Sequence, residues 1–153
     1  HVARWHGPAR RAAFLGRADF LVLACPLDDS TRGMVDAPFL AALPPSAVLV
    51  NLARAGIVDE AALYDALKAR RIAGAVLDVW WRYPTASDPA PRPSALPFHA
   101  LRNVIMTPHV ASWSDGVVER RWQGIARNLD RLLSGRPLDN VVASRASAEA
   151  TLR

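Results

Sequence analysis

The stretch AVLVNLARAGIVDEAALYDALKARRIAGAVLDVW, residues 47–80, decides the fold of this chain. It opens with a short apolar run, Ala47–Ala53, which predicts a buried strand. Asp59 then predicts a helix N-cap, ahead of apolar side chains that recur at helical spacing. A second apolar run at 73–80 predicts another buried strand. A strand, a helix and a strand in this order predict two parallel strands joined by a crossover helix.

The flanking sequence repeats this alternation, so four strands are predicted in total. The run Phe20–Cys25 predicts a strand that is buried on both faces and ends at Pro26. Val104–Thr107 predicts the fourth strand. Between the first two strands, Asp36 predicts the N-cap of a short helix that has Pro38 in its first turn. We therefore expect an α/β fold, with a parallel sheet of about four strands and flanking helices.

Helices are also predicted at both ends of the chain. A short helix is expected at 8–15. The clearest helical pattern begins after Asp115, the predicted N-cap, and ends before Gly135. Its apolar residues recur at alternating steps of four and three, and they are Val118, Trp122, Ile125, Leu129 and Leu132.

Composition excludes several classes of protein. Of the 153 residues, 51% are hydrophobic and 22% are charged, which excludes a disordered chain. The net charge of +5 comes mostly from arginines that occur in pairs and not in runs, so we expect no nucleic-acid partner. No apolar run approaches the roughly 20 residues of a membrane span, so we expect no membrane partner. A single cysteine, Cys25, excludes a disulfide framework and fits a cytoplasmic location; no histidine spacing suggests a metal site.

Chemically capable side chains follow every predicted strand. Ligands of open α/β sheets bind beyond the carboxyl ends of the strands. There the sequence places Pro26 and Thr31, then Ala53 and Arg54, then Asp78, and finally His109 and Ser112. A guanidinium can bind a carboxylate through two hydrogen bonds, and an imidazole exchanges a proton near neutral pH. Together these groups suit a hydroxy or keto acid that exchanges a hydride with a cofactor.

Each of these residues also has an ordinary interpretation. Arg54 alone is typical of a surface arginine, Asp78 of a turn at a strand end, and His109 of a hydrogen-bonded loop histidine. Their joint appearance at successive strand ends favours a site.

Three strings carry a resemblance to a known family: ACPLDDSTRGMVD (24–36), LVNLARAGIVDEAALYDALKARRIAGAVLDVW (49–80) and NVIMTPHVA (103–111). They resemble the nucleotide-binding domain of the D-isomer-specific 2-hydroxyacid dehydrogenases, and the likeness runs from about Ala18 to Val142. It implies a Rossmann-type half domain, NAD or NADP as cofactor, a small 2-hydroxy or 2-keto acid as substrate, and a homodimer. The resemblance divides the chain into an N-terminal remnant (1–17), a partial dinucleotide-binding domain with a C-terminal return helix (18–142) and a flexible tail (143–153).

The resemblance also implies a role for each candidate residue. Arg54 would hold the substrate carboxylate, and His109 would be the general acid and base. Asp78 would contact the nicotinamide carboxamide. Pro26 and Thr31 would lie along the adenosine side, and Ala53 and Ser112 complete the expected cofactor site.

Two departures from the family pattern bear on function. Family members usually carry a glutamate before the proline of the segment that here reads LDVWWRYP, although the formate dehydrogenase branch has a glutamine there, and Tyr83 occupies that position. Tyr83 either stands in for the acid or is a loop aromatic packed under Pro84. Because a phenol is uncharged near neutral pH, reduction that depends on imidazolium should decline at a lower pH than in relatives with the glutamate.

The second departure is the absence of a G-x-G-x-x-G sequence, which cradles the cofactor pyrophosphate. The chain begins at His1 without an initiator methionine, so we expect it to be trimmed or part of a longer protein. The first strand would then be an open edge that promotes self-association. The alternative function is a non-catalytic NAD-sensing or scaffold protein, or an inactive fragment of such a dehydrogenase.

Overall fold

The computed structural model describes residues 14–141, which form two compact units that divide between Ser112 and Trp113. The first unit holds, in chain order, β1 (Phe20–Leu23), α1 (Ala37–Ala41), β2 (Val48–Asn51), α2 (Glu60–Lys68), β3 (Gly74–Leu77) and β4 (Val104–Met106). The second unit holds α3 (Val117–Leu133). Of the helix predicted at 8–15, only Phe14 and Leu15 are described, and both are helical. The tail predicted at 143–153 lies outside the described residues.

The four strands form one parallel sheet in the order β1-β2-β3-β4, as the sequence predicts. Leu23 pairs with Asn51, Asn51 with Leu77, and Leu77 with Met106. Because these are the last residues of their strands, all four carboxyl ends meet at one edge of the sheet. Each strand is one to three residues shorter at an end than its apolar run predicts.

The two faces of the sheet differ in burial. Leu21, Leu49 and Ala75 lie on one face and join the buried core together with residues of α1 and α2. On the other face, Phe20 is 70% exposed and Val22 is 54% exposed. The prediction that the first strand is buried on both faces is therefore wrong. Successive side chains of a strand point to opposite faces, so Leu21 and Leu23 face the buried core while Phe20 and Val22 face solvent.

The predicted caps of the two helices in the first unit are confirmed. The side chain of Asp36 accepts a hydrogen bond from the Phe39 amide at 2.8 Å. The side chain of Asp59 accepts one from the Ala62 amide, also at 2.8 Å. Such caps satisfy amides that have no partner within the helix.

The start of α3 differs from the prediction. Its N-cap is Gly116, which has a φ of 71°, and Asp115 makes no side-chain cap bond. Chain entry through a left-handed residue favours glycine, because glycine has no Cβ to clash there. The predicted end is confirmed, since Gly135 has a φ of 64°. The predicted apolar stripe is exposed along its whole length, and no described helix is both long and apolar enough to cross a membrane.

Candidate active site

The candidate side chains follow one another along the carboxyl edge of the sheet. Because the strand order equals the chain order, Pro26, Arg54, Asp78 and His109 come after adjacent strands. Adjacent strands lie about 4.8 Å apart, so this edge gathers groups that are far apart in sequence. The predicted convergence of these strand ends is a consequence of the parallel topology.

Asp78 ties the end of β3 to the loop that carries His109. It is 2% exposed, and its Oδ1 accepts hydrogen bonds from Thr107 Oγ1 at 2.6 Å and from the Val110 amide at 2.9 Å. Its Oδ2 accepts from the Ala111 amide at 2.9 Å. The carboxylate therefore holds the side chain of Thr107 before His109 and the backbone of the two residues after it.

This environment lowers the pKa of the Asp78 carboxyl below its ordinary value. Burial is the largest single influence and raises the pKa, because it disfavours the charged form. The hydrogen bonds from Thr107, Ala111 and Val110, together with electrostatic attraction to His109, outweigh that effect. Asp78 is therefore a carboxylate at neutral pH, and it anchors the loop as an acceptor.

His109 has a backbone conformation that is rare for its residue type. Its φ is 60°, in the left-handed region, and its side chain is exposed. A non-glycine residue held there costs on the order of 1–3 kcal/mol, and such strain persists only where surrounding contacts enforce it. The amides of Val110 and Ala111, bound to Asp78, supply those contacts directly after the histidine.

Tyr83 contacts the imidazole of His109. Its hydroxyl oxygen lies 3.0 Å from Nδ1, and the two ring centroids are 5.6 Å apart at an angle of 49°. The Trp80 amide donates a hydrogen bond to the same hydroxyl oxygen at 3.1 Å. Tyr83 therefore contacts the imidazole, as the interpretation that it stands in for the acid requires.

Trp80 links the two segments that carry Tyr83 and His109. Its indole Nε1 donates to the carbonyl of Thr107 at 2.9 Å, while its amide holds the tyrosine hydroxyl. A cavity of about 460 Å³ lies beside this link, and its walls include Trp80, Arg82, Tyr83, Pro84, Pro93, Met106 and Thr107.

Asn51 shapes the turn that presents Arg54. It is 1% exposed, its Oδ1 accepts from the Ala53 amide, and its Nδ2 donates to the Arg54 carbonyl, each at 3.1 Å. Arg54 itself is exposed, and its Nη1 donates to the Ala53 carbonyl at 2.7 Å. No acidic residue in the described part of the chain forms an ion pair with Arg54. The sequence places Asn51 at the end of the second strand but assigns it no role; a polar residue that ends an otherwise apolar strand is the signal for one.

A second cavity brings together three of the predicted residues. It has a volume of about 600 Å³ and is lined by Ala24, Cys25, Pro26, Leu27, Leu52, Ala53 and Arg54. Thr31 does not line it, but its Oγ1 donates to the Pro26 carbonyl at 2.8 Å and so fixes this wall. Ser112 is exposed at the end of the first unit. The described cavities do not join the Arg54 group to the Tyr83–His109 pair.

The apolar surface and the acceptor at the carboxyl edge of the sheet fit part of a dinucleotide. Pro26 offers a small apolar surface in the second cavity, and Asp78, which already accepts three hydrogen bonds, keeps one acceptor site on Oδ2. The chain contains no G-x-G-x-x-G turn for the pyrophosphate. Within residues 14–141, no three His, Cys, Asp or Glu side chains cluster as metal ligands would.

Comparison with known proteins points to one family. The family model described as the NAD binding domain of D-isomer specific 2-hydroxyacid dehydrogenases matches residues 6–111. The chain is 39% identical over 121 residues to a glyoxylate reductase of Thermococcus gammatolerans, covering 79% of the chain and 34% of that relative. It is 38% identical over 128 residues to a glycerate dehydrogenase of Methylorubrum extorquens, covering 84% of the chain and 39% of that relative.

A solved structure agrees with these matches. The NADPH-dependent glyoxylate/hydroxypyruvate reductase of Sinorhizobium meliloti, in complex with NADP and sulfate, superposes with a TM-score of 0.73 at 34% identity. The match covers 90% of the chain and 42% of that structure. The chain thus spans less than half the length of each of these relatives.

Proposed function

The chain belongs to the D-isomer specific 2-hydroxyacid dehydrogenase family, and we propose that it supplies the catalytic edge of an NAD- or NADP-dependent oxidoreductase that reduces 2-keto acids to 2-hydroxy acids. The observation that carries this proposal is the anchored histidine. The loop contacts of Asp78 hold His109 in a strained backbone conformation, and the Tyr83 hydroxyl contacts Nδ1 of its ring. The other ring nitrogen, Nε2, is then available to a reactant.

Arg54 binds the substrate carboxylate in this proposal. Its guanidinium is exposed and uses one of its five N–H donors in a hydrogen bond to a backbone carbonyl. The other donors are available to bind an anion. A planar guanidinium and a carboxylate match in a two-bond geometry that also orients the substrate. Asn51 acts indirectly, because it fixes the turn from which Arg54 extends.

His109 moves the proton that the reaction requires. A reduced nicotinamide cofactor supplies the hydride when it is bound. The carbonyl oxygen gains negative charge as the hydride arrives, and a positioned imidazole neutralises that charge by proton transfer. Pro26, Thr31, Ala53, Asp78 and Ser112 form the cofactor side of the proposed site, with Asp78 as an acceptor for the carboxamide.

The alternative function, a non-catalytic NAD-sensing or scaffold protein, is less well supported by the geometry. A scaffold has no need for a strained histidine whose ring is fixed by a hydroxyl and whose loop is tied to a buried carboxylate.

We also propose that the protein is a homodimer located in the cytoplasm. We infer a homodimer, because the exposed apolar face of the sheet around Phe20 and Val22 favours association with another chain. A cytoplasmic location, with no nucleic-acid or membrane partner, follows from the sequence composition and the single free cysteine, Cys25.

An absorbance assay tests the proposed function. The complete reading frame that contains this chain is incubated with NADH or NADPH and either glyoxylate or hydroxypyruvate. We expect oxidation of the reduced cofactor, and its loss in His109→Gln. The matched control is His99→Gln, which changes an exposed histidine outside the site. Absence of turnover with a panel of small 2-keto acids, in a protein shown to bind the cofactor, would contradict the proposal.

A further inference from the structure

The hydroxyl of Tyr83 has two hydrogen-bond partners. The Trp80 amide can only donate, whereas Nδ1 of His109 can donate or accept, depending on the tautomer. The Trp80 amide is a donor, so at 3.1 Å it takes a lone pair of the phenol oxygen and leaves the hydroxyl hydrogen unused. The other partner is His109 Nδ1, at 3.0 Å. Among the described residues it is the only acceptor that contacts this hydroxyl.

The hydroxyl hydrogen therefore points to Nδ1, which must be unprotonated to accept it. The reverse arrangement would place two donors on one phenol oxygen and leave its hydrogen to solvent. A neutral imidazole carries one proton, so with Nδ1 as acceptor that proton resides on Nε2. A carboxylate in the place of Tyr83 would impose the opposite tautomer, because it accepts and requires a hydrogen on Nδ1.

From this geometry we infer that Tyr83 fixes neutral His109 as its Nε2–H tautomer and that the two residues form a proton relay for reduction. The inference rests on the proposed reduction of 2-keto acids. As the carbonyl carbon accepts a hydride from the reduced nicotinamide cofactor, the Nε2 proton passes to the carbonyl oxygen. The Tyr83 proton passes to Nδ1, so the imidazole stays neutral throughout.

Tyr83 is the group that has lost a proton at the end of this step. One hydride and one proton convert the keto acid to the hydroxy acid, and the phenolate left behind still accepts the Trp80 amide hydrogen bond. His109 is exposed, so once the hydroxy acid leaves, Nε2 takes a proton from solvent and the Nδ1 proton returns to the phenolate, which restores the starting tautomer. Reduction then does not need imidazolium, so it continues above neutral pH for as long as Tyr83 carries its proton.

Among residues 14–141, two titratable groups face the imidazole, and both fit this arrangement. Tyr83 contacts Nδ1, and the buried Asp78 carboxylate interacts with the ring electrostatically. Asp78 directs its oxygens to Thr107, Val110 and Ala111, and it makes no hydrogen bond to the ring. It therefore stabilises positive charge nearby without choosing which nitrogen carries the proton.

Nitrogen NMR of the histidine ring tests the tautomer without any turnover. The chain is labelled with ¹⁵N-histidine, and the His109 signals are identified by their absence in His109→Gln. In the neutral ring we expect an unprotonated Nδ1 and a protonated Nε2. Tyr83→Glu should reverse the two, while the His99 signals stay unchanged as an internal control. A protonated Nδ1 in the unaltered chain overturns the inference, whatever the fate of the variant.

The pH profile of reduction by the complete protein tests the relay. We expect kcat to persist above pH 8 and to fall about 10- to 100-fold in Tyr83→Phe, with little change in KM, because one general acid contributes at least that much. Tyr83→Glu would make reduction depend on imidazolium and should therefore move the alkaline decline to lower pH, which reverses the order expected from the sequence alone. If the unaltered enzyme loses reduction near neutral pH, or if Tyr83→Phe keeps its full rate, the relay is wrong. Absence of turnover in every form would instead contradict the proposed function, and the NMR result would still stand on its own.

Discussion

The carboxylate of Asp78 accepts a hydrogen bond from the amide of Ala111 at 2.9 Å, two residues beyond the candidate catalytic histidine. The contact joins the end of β3 to the loop after β4, across 33 residues of sequence. A buried carboxylate thus fixes the conformation of the loop that carries His109.

Asp78→Asn should lower the free energy of unfolding by about 1–3 kcal/mol, because an amide cannot accept from backbone donors at both of its polar atoms and a buried donor is left unsatisfied. Urea denaturation measures the change. The matched control is Asp65→Asn on the exposed side of α2, which should stay within about 0.5 kcal/mol of the unaltered chain. Equal effects of the two changes would mean that Asp78 does not anchor the loop.

The stability that Asp78 provides should also depend on pH. Its pKa is lower in the folded chain than in the unfolded chain, so the unfolded state binds a proton first as the pH falls. The contribution is complete above the unfolded value of about 3.9 and is lost as the pH falls through the lower, folded value. Unfolding measured between pH 2 and 6 should therefore show the difference between the unaltered chain and Asp78→Asn shrinking below about pH 4. A difference that stays constant over this range would contradict the lowered pKa.

Arg54→Gln in the complete protein should raise KM for the keto acid about 10- to 100-fold, the equivalent of the 1.5–3 kcal/mol of a charge-assisted hydrogen bond. Arg54→Lys should recover little of this loss, because a lysine cannot make the two-bond contact. Initial-rate kinetics give both values. Arg102→Gln, an exposed arginine just before β4, serves as the control and should leave KM unchanged. An unchanged KM in Arg54→Gln would remove this residue from the substrate site.

The chain alone should bind NAD weakly or not at all, with a dissociation constant well above the low micromolar range. The edge described above can contact the rings of the cofactor, but the sequence has no glycine-rich turn for its pyrophosphate. Isothermal titration calorimetry tests this, with NAD injected into buffer as the control. A low-micromolar dissociation constant would show that the missing turn is not needed.

The chain should associate with itself at concentrations on the order of tens of micromolar. The uncovered face of the sheet exposes Phe20, Val22 and Ile105, and an apolar face next to the edge strand β1 recruits partners. Light scattering measures the mass. Val22→Asp should shift the equilibrium to monomer, whereas Val141→Asp, at an exposed valine of the second unit, should not. A monomer in the unaltered chain at these concentrations contradicts the prediction.

The sequence alone determined the features that depend on near neighbours in the chain. The apolar runs located all four strands, and Asp36 and Asp59 located two helix starts, because a cap bond spans only three residues. The parallel topology followed from the alternation of strands and helices. It also placed Arg54, Asp78 and His109 at one edge, since parallel strands share the end at which ligands bind. The sequence did not reveal the left-handed entry at Gly116, because Asp115 offered an equally good local cap.

Only the tertiary structure decided how the side chains of the site meet. Tyr83 and His109 are 26 residues apart, with a long proline-rich loop between them, and no periodicity in the sequence relates their positions. No sequence pattern indicates the hydrogen bond between Asp78 and Ala111 either. An apolar run such as FLVL likewise cannot indicate that one side of β1 is exposed to solvent. Local patterns record which residues favour a strand or a helix. Which face is covered, and which hydroxyl reaches which nitrogen, is fixed by the packing of segments that are distant in the chain.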